Sequence, residues 1–171
     1  MTLGKRLWLA AAAVLVLAAG LRVVHHFNRP HLLHPGDHLV PLALSSLDGQ
    51  EVVLAPPGHA ELINVFATWC PPCRMEAPAI VSLAKSLQSR GIQVVGIDQQ
   101  EGATQVERFR DEFRWPYPLY IDGGDLTHTV LGARVIPETV FVGADGVIQW
   151  IREGPLTPQD FESIRAAEKT V

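Results

Sequence analysis

The chain is short of basic residues and has neither internal repeats nor low-complexity tracts. Those absences exclude a solenoid and a disordered chain, and 47% apolar with 19% charged residues is typical of a folded globular protein. Residues 31–171 hold all eighteen acidic residues but only ten of the fourteen basic ones, so this part carries a net charge of −8. Because nucleic-acid binding depends on Lys and Arg neutralising phosphates, no nucleic acid is expected as a partner.

One long apolar run lies near the N-terminus, directly after two basic residues. It reads LWLAAAAVLVLAAGL over residues 7–21 and predicts an export signal. Fifteen helical residues at about 1.5 Å each cover only ~23 Å of a hydrocarbon layer about 30 Å thick. Extension to Phe27, with Arg22 reaching outward to the lipid surface, closes the gap. We therefore expect an uncleaved membrane-spanning anchor over residues 1–27.

Cleavage of this segment is the alternative, since Ala18 and Gly20 are small residues that a signal peptidase accepts. In either case we expect export of the larger part, residues 39–171, to the periplasmic side of a bacterial inner membrane. Residues 28–38 are predicted to form a linker. The stretch HHFNRPHLLHPGDH around it holds five of the seven histidines, which favours a solvated tether over a metal-binding or proton-sensing site.

The rest of the chain alternates strand patterns with helix patterns. Strands are predicted over residues 39–44, 51–54, 61–66, 92–97, 117–121, 138–142 and 147–151. Helices are predicted from the cysteine motif to a stop at Gly91, over residues 104–113 and 126–131, and from Thr157 onward. This order predicts an α/β fold with a parallel core, helices on both faces and a final antiparallel hairpin at the edge.

Cysteine is scarce as well, and Cys70 and Cys73 lie together in VFATWCPPCRMEAP. A structural disulfide across two intervening residues closes too small a loop to stabilise much. A structural zinc site needs four ligands, and outside the linker only His59 and His128 remain, without ligand spacing. The sequence therefore predicts no metal at the cysteines and favours a dithiol that opens and closes.

The cysteines lie where a buried strand gives way to a helix. Unpaired N–H groups and the helix dipole favour a thiolate at such an N-terminus. We therefore expect the sulfur of Cys70 to be exposed and to attack a partner's disulfide, after which Cys73, one turn inward, displaces the partner. Pro71 and Pro72 fall in the first helical turn, where a missing N–H costs nothing.

NVFATWCPPCRMEAP, VVGID and VIPETVFVGADGVI together resemble the membrane-anchored thioredoxin-like reductases of the TlpA, ResA and DsbE type, many of which serve cytochrome c maturation. The resemblance covers about residues 36–168. It implies a thioredoxin-like fold with an N-terminal β-hairpin, a central mixed sheet flanked by helices, and an inserted β-α element at residues 99–121.

The same resemblance implies a function. It points to a thiol-disulfide oxidoreductase that reduces disulfides of client proteins, apocytochrome c among them. A thiol-transferring membrane protein would supply the electrons, and the Cys70–Cys73 disulfide would be the redox group, without a separate cofactor.

The resemblance also assigns individual residues. Cys70 matches the attacking cysteine, Cys73 the resolving one, and Pro137 a cis-proline whose loop faces the disulfide. Glu76, three residues after Cys73 on the same helical face, matches an acid that replaces a buried aspartate of ordinary thioredoxins, at whose position Asn64 stands. The residues predicted to bind the client are Trp69, Pro72, Ile136, Pro137 and Glu138.

Plainer interpretations stay open for three of these residues. Glu76 could be an acid favoured by the helix dipole alone, Glu138 an ordinary residue at the start of a strand, and Trp69 a core residue. Arg74, four residues after Cys70, is expected to be a solvated charge rather than a group that assists the thiolate.

Three other functions also stay open. The cysteines and the linker histidines could hold Cu(I) in an oxidase assembly module. The dithiol could act in the opposite direction, as an oxidant. The fold could be a scaffold without activity, which the presence of both cysteines and of Pro137 disfavours.

Overall fold

The computed structural model describes residues 14–18, 20, 33–54 and 58–167. The chain divides into two compact units, Met1–Pro30 and His31–Val171. Most of the predicted anchor and the first part of the predicted linker lie outside the described residues. Residues 14–18 are helical, and among the helices of the described ranges none is both long enough and apolar enough to cross a membrane.

The described part of the larger unit contains seven strands and four helices. The strands are β1 (Leu42–Ser46), β2 (Glu51–Leu54), β3 (Glu61–Phe66), β4 (Gln93–Gln99), β5 (Leu119–Asp122), β6 (Glu138–Val142) and β7 (Ile148–Glu153). The helices are α1 (Pro71–Gln88), α2 (Ala103–Phe113), α3 (Leu126–Thr129) and α4 (Pro158–Ala167).

The strands form one mixed sheet in the order β2-β1-β5-β4-β3-β6-β7. The three central strands β5, β4 and β3 are parallel, whereas β1 and β6 join them antiparallel. The predicted insertion forms α2 and β5, and β5 separates β1 from β4 in the sheet. This arrangement confirms the predicted thioredoxin-like α/β fold.

Three predicted strands, β2, β3 and β6, match to the residue, and prolines account for two of the shifted boundaries. Strand β1 begins at Leu42 because Pro41 has no N–H for the ladder, and Leu39 instead donates to the carbonyl of Gly146 at 2.9 Å. Strand β5 begins at Leu119, directly after Pro118, rather than two residues earlier as predicted.

Strand β3 is buried along its whole length because both faces of the sheet are covered. Phe66 at its end packs on the face of α1, α2 and α4, where its ring lies 5.3 Å from Phe109 and 4.8 Å from Trp115 between centroids. Val65 faces the second core, beneath α3 and the segment that precedes β1. The rigid end of β3 therefore fixes where the cysteine motif begins.

Candidate active site

The two cysteines are joined by a disulfide at the start of α1. Their Cα atoms lie 5.3 Å apart, within the usual range for such a bond. Cys70 is the N-cap residue, Pro71 and Pro72 occupy the first two helical positions, and the Cys73 N–H lies 3.3 Å from Cys70 Sγ. The predicted strand-to-helix position and the predicted proximity of the sulfurs are both confirmed.

The expected exposure of the Cys70 sulfur is wrong for this disulfide form. Cys70 is only 2% exposed and Cys73 3%, and both belong to the core of the α1 face. Part of the cover comes from far along the chain, since the carbonyl oxygen of Ile136 lies 3.8 Å from Cys70 Sγ. Attack on this bond therefore requires the loop of Ile136 to yield to the incoming group.

The loop that covers the sulfurs is the one the sequence associated with the cis-proline. The Ile136–Pro137 peptide bond is cis, as the resemblance implied. Pro137 is buried, while Ile136 and Pro72 are half-buried. Trp69, just before Cys70, is 67% exposed, so the interpretation of this side chain as a core residue is wrong.

Glu76 is a buried carboxyl group held by two donors. Its Oε2 accepts the Leu156 N–H at 2.9 Å, and its Oε1 accepts from the Asn64 amide at 3.4 Å, while the same amide donates to Thr139 at 3.1 Å. Burial raises the pKa of Glu76 above its ordinary value, and these hydrogen bonds partly offset the rise. The Glu76 carboxyl group therefore binds a proton more readily than an exposed glutamate does.

Glu138 lies on the other face of the sheet. Its neighbours in β6 alternate between the two cores, and Glu138 lines a cavity of about 280 Å³ with Leu131, Gly132 and Glu153, among whose lining residues there is no cysteine. Burial, followed by the charge of Glu153 across the ladder, raises the pKa of Glu138 to about 7. The structure thus places Glu138 beside the cis-proline in sequence but behind the sheet from the disulfide.

The described residues offer little to a metal ion. Of the linker histidines, His34 lies 3.8 Å from Asp37 Oδ2 and His38 bridges to Val147 through the backbone. No three His, Cys, Asp or Glu side chains of the described ranges converge in a way that could hold a metal.

A polar cluster behind the cysteine motif was not predicted from the sequence. Thr68 donates its N–H and its hydroxyl to the two carboxylate oxygens of Glu101, at 2.5 and 2.6 Å, and Asp98 lies beside Glu101. The available signal was Asp98, an acidic residue at the end of the apolar run VVGID, which forms the strand beside β3. Arg74 is not simply solvated, because it pairs with Glu112 and donates to the Thr68 carbonyl at 3.2 Å.

Comparison with known proteins relates the chain to one family. The family model described as the AhpC/TSA family matches residues 35–151. The thiol-disulfide oxidoreductase ResA of Halalkalibacterium halodurans is 26% identical over 162 residues, which cover 92% of either protein. The thiol:disulfide interchange protein DsbE of Escherichia coli is 33% identical over 106 residues, 61% of this chain and 55% of that protein.

Solved structures agree. A putative thiol:disulfide interchange protein DsbE from Chlorobium tepidum superposes with a TM-score of 0.71 over 81% of this chain and 97% of that one, and its 22% identity supports the fold alone. A thioredoxin family protein from the same species, titled a thiol:disulfide interchange protein, is 28% identical with a TM-score of 0.66 over 80% of this chain and 99% of that one. The chain therefore belongs to the AhpC/TSA family and is a thiol-disulfide oxidoreductase of the ResA and DsbE type.

Proposed function

We propose that the protein is a membrane-tethered, extracytoplasmic reductase that opens client disulfides through Cys70 and Cys73, with apocytochrome c as the client. The main support is the position of Cys70 as the N-cap residue of α1, where its Sγ lies 3.3 Å from the backbone nitrogen of Cys73. After reduction, this N–H and the positive end of the helix dipole favour a thiolate on Cys70.

The reaction is an exchange of two electrons between two pairs of sulfurs. The Cys70 thiolate attacks one sulfur of the client disulfide, and the other client sulfur leaves as a thiolate that takes up a proton. Cys73 then loses its proton and attacks Cys70, which closes the Cys70–Cys73 bond and releases the second client thiol. The dithiol is thereby oxidised, and the client disulfide is reduced to two thiols.

Glu76 is proposed to take the proton that Cys73 loses in the second step. It follows Cys73 by one helical turn and lies on the buried face of α1. The N–H of Leu156 and the amide of Asn64 hold its carboxyl group in place, while burial raises the pKa of this group and so favours proton uptake.

The client is proposed to bind along the cis-proline loop. Trp69 offers a large exposed ring beside the disulfide, and Pro72 lies in the first turn of α1. The backbone of Ile136 and Pro137, which covers Cys70, would pair with an extended client segment and so uncover the sulfur. Glu138 would act from behind, by fixing the start of β6.

The tether and the electron donor belong to the same proposal. The apolar run over residues 7–21 supports an anchor that leaves the catalytic unit on the periplasmic side. That compartment would otherwise keep the pair as a disulfide, so electrons would have to arrive through the membrane from a thiol-transferring protein.

Covalent trapping tests the assigned roles. We expect Cys73→Ser to accumulate a mixed disulfide through Cys70 in the native cell, whereas Cys70→Ser does not, and mass spectrometry identifies the trapped client. Equal trapping by both variants would contradict the roles. A reduction potential near the thioredoxin value of about −270 mV supports a reductant, and one near about −120 mV would make the protein an oxidant.

A further inference from the structure

Every backbone and side-chain polar group of Thr68 is held by a partner outside its own turn. The turn closes through the Cys70 N–H, which donates to the Ala67 carbonyl at 3.1 Å, so Thr68 and Trp69 form its tip. Glu101 accepts both the N–H and the hydroxyl of Thr68. A single carboxylate thus binds the tip of the turn that delivers Cys70 to the helix.

Glu101 is itself fixed from behind. Its N–H donates to Asp98 Oδ1 at 3.0 Å, and Asp98 is fully buried at the end of β4, opposite Phe66 of β3. Burial, followed by hydrogen bonding to Glu101 and the charge of that residue, raises the pKa of Asp98 to about 8. Buried Asp98 thus fixes the backbone of Glu101, from which the Glu101 side chain reaches Thr68.

Arg74 holds the remaining group of Thr68. Its guanidinium donates to the Thr68 carbonyl at 3.2 Å, pairs with Glu112, and lies over the rings of Phe109 and Phe113 at 5.4 and 5.3 Å. Arg74 belongs to α1 and Glu101 precedes α2, so hydrogen bonds from two separate parts of the chain hold Thr68.

We propose that Glu101 is a positioning residue for thiol-disulfide exchange, which holds Thr68 and thereby keeps the Cys70 sulfur within bonding reach of Cys73. Two groups held in place react as if at high local concentration, so a fixed turn favours closure of the disulfide. Loss of the hydrogen bonds between Thr68 and Glu101 would lower the equilibrium constant for closure of the disulfide and make the protein a weaker reductant. The inference rests on the proposed exchange at Cys70.

The test measures the equilibrium constant for closure of the full chain against glutathione. We expect Glu101→Gln, which loses one acceptor for Thr68, to lower this constant about tenfold, a rise of about 30 mV in reduction potential. Thr68→Val removes the hydroxyl but keeps the charge of Glu101, and should change the constant in the same direction. Because both changes act on one contact, the double variant should change it no more than the larger single change.

Matched variants separate positioning from other effects. Thr68→Ser retains the N–H and the hydroxyl that bind Glu101, so its equilibrium constant for closure should stay within twofold of the unmodified chain's. Asp111→Asn removes an exposed carboxylate that pairs with its neighbour Arg110, and should leave the constant unchanged. If Glu101→Gln does not fold, which circular dichroism shows, the two Thr68 variants decide alone.

The outcomes distinguish this inference from the proposed function. If the unmodified chain does not close reversibly against glutathione, the exchange at Cys70 fails and this inference fails with it. If that chain closes normally but Thr68→Val leaves the constant unchanged, only the positioning role is overturned. Additive effects in the double variant would also overturn it, since they would mean that Glu101 and Thr68 act separately.

Discussion

Asp98 should make the free energy of unfolding depend on pH, and replacing it with asparagine should remove this contribution. Asp98 is fully buried, and burial and Glu101 raise its pKa from 3.8 to about 8. Between about pH 4 and pH 8 the folded chain therefore binds one more proton at Asp98 than the unfolded chain does. The free energy of unfolding falls as pH rises through this window, by up to about 1.4 kcal/mol per pH unit. At pH 7 the loss has an upper limit of roughly 4 kcal/mol.

Asparagine has the same shape and does not titrate. Its Oδ1 can accept the Glu101 N–H, as the Oδ1 of Asp98 does. We expect Asp98→Asn to unfold at a higher urea concentration than the unmodified chain at pH 7. Its free energy of unfolding should be about 1 to 4 kcal/mol higher there, and the gain should be smaller at pH 5.

Urea titrations of both oxidised chains at pH 5, 6, 7 and 8 measure this difference. Glu76 and Glu138 also have raised pKa values and contribute to both curves, so the difference between the chains isolates Asp98. A gain that is constant from pH 5 to pH 8, or that shrinks as pH rises, would refute the assignment of a buried proton to Asp98.

Three more predictions concern single side chains. Glu76→Gln removes the proton acceptor of Cys73 and should lengthen the life of the mixed disulfide about 100-fold, as followed by quenched non-reducing gels. Glu138→Gln should raise the free energy of unfolding above pH 7 but not at pH 5, because a carboxyl group with a raised pKa loses its stabilising proton as pH rises. Phe66→Ala should lower the free energy of unfolding, measured in urea, by about 3 to 5 kcal/mol because this side chain is fully buried. Trp69→Ala should lower it by under about 1 kcal/mol, because this side chain is 67% exposed, but should slow client reduction.

The elements that the sequence predicted best are those set by neighbouring residues. Strand β3, the N-cap at Cys70 and the prolines after it follow from a six-residue apolar run and from the geometry of a first helical turn. The hairpin of β6 and β7 likewise follows from Asp145 and Gly146, whose positive φ of 80° a glycine tolerates. In these cases the information lies within a few positions of the structure it determines.

The contacts that the sequence did not predict join residues far apart in the chain. Thr68 and Glu101 are separated by 33 positions, and the pairing depends on β3 and β4 lying side by side so that both end at the same edge. The family resemblance assigned Glu138, next to Pro137, to the client groove, but strand alternation turns its side chain to the opposite face of the sheet. The sequence placed Glu138 next to Pro137 but did not show which face of the sheet its side chain would occupy.

The burial of Cys70 combines both kinds of information. The separation of the two sulfurs is local and was predicted, whereas their cover comes from Ile136, 66 positions away, and was not. That cover is thin, because Ile136 is half-buried and the adjacent Val135 is 50% exposed. Since the backbone that hides the sulfur is the one proposed to pair with the client, a partner that binds this loop also gains access to the bond it exchanges with. Burial in the free disulfide form is therefore compatible with exchange once a partner engages this loop.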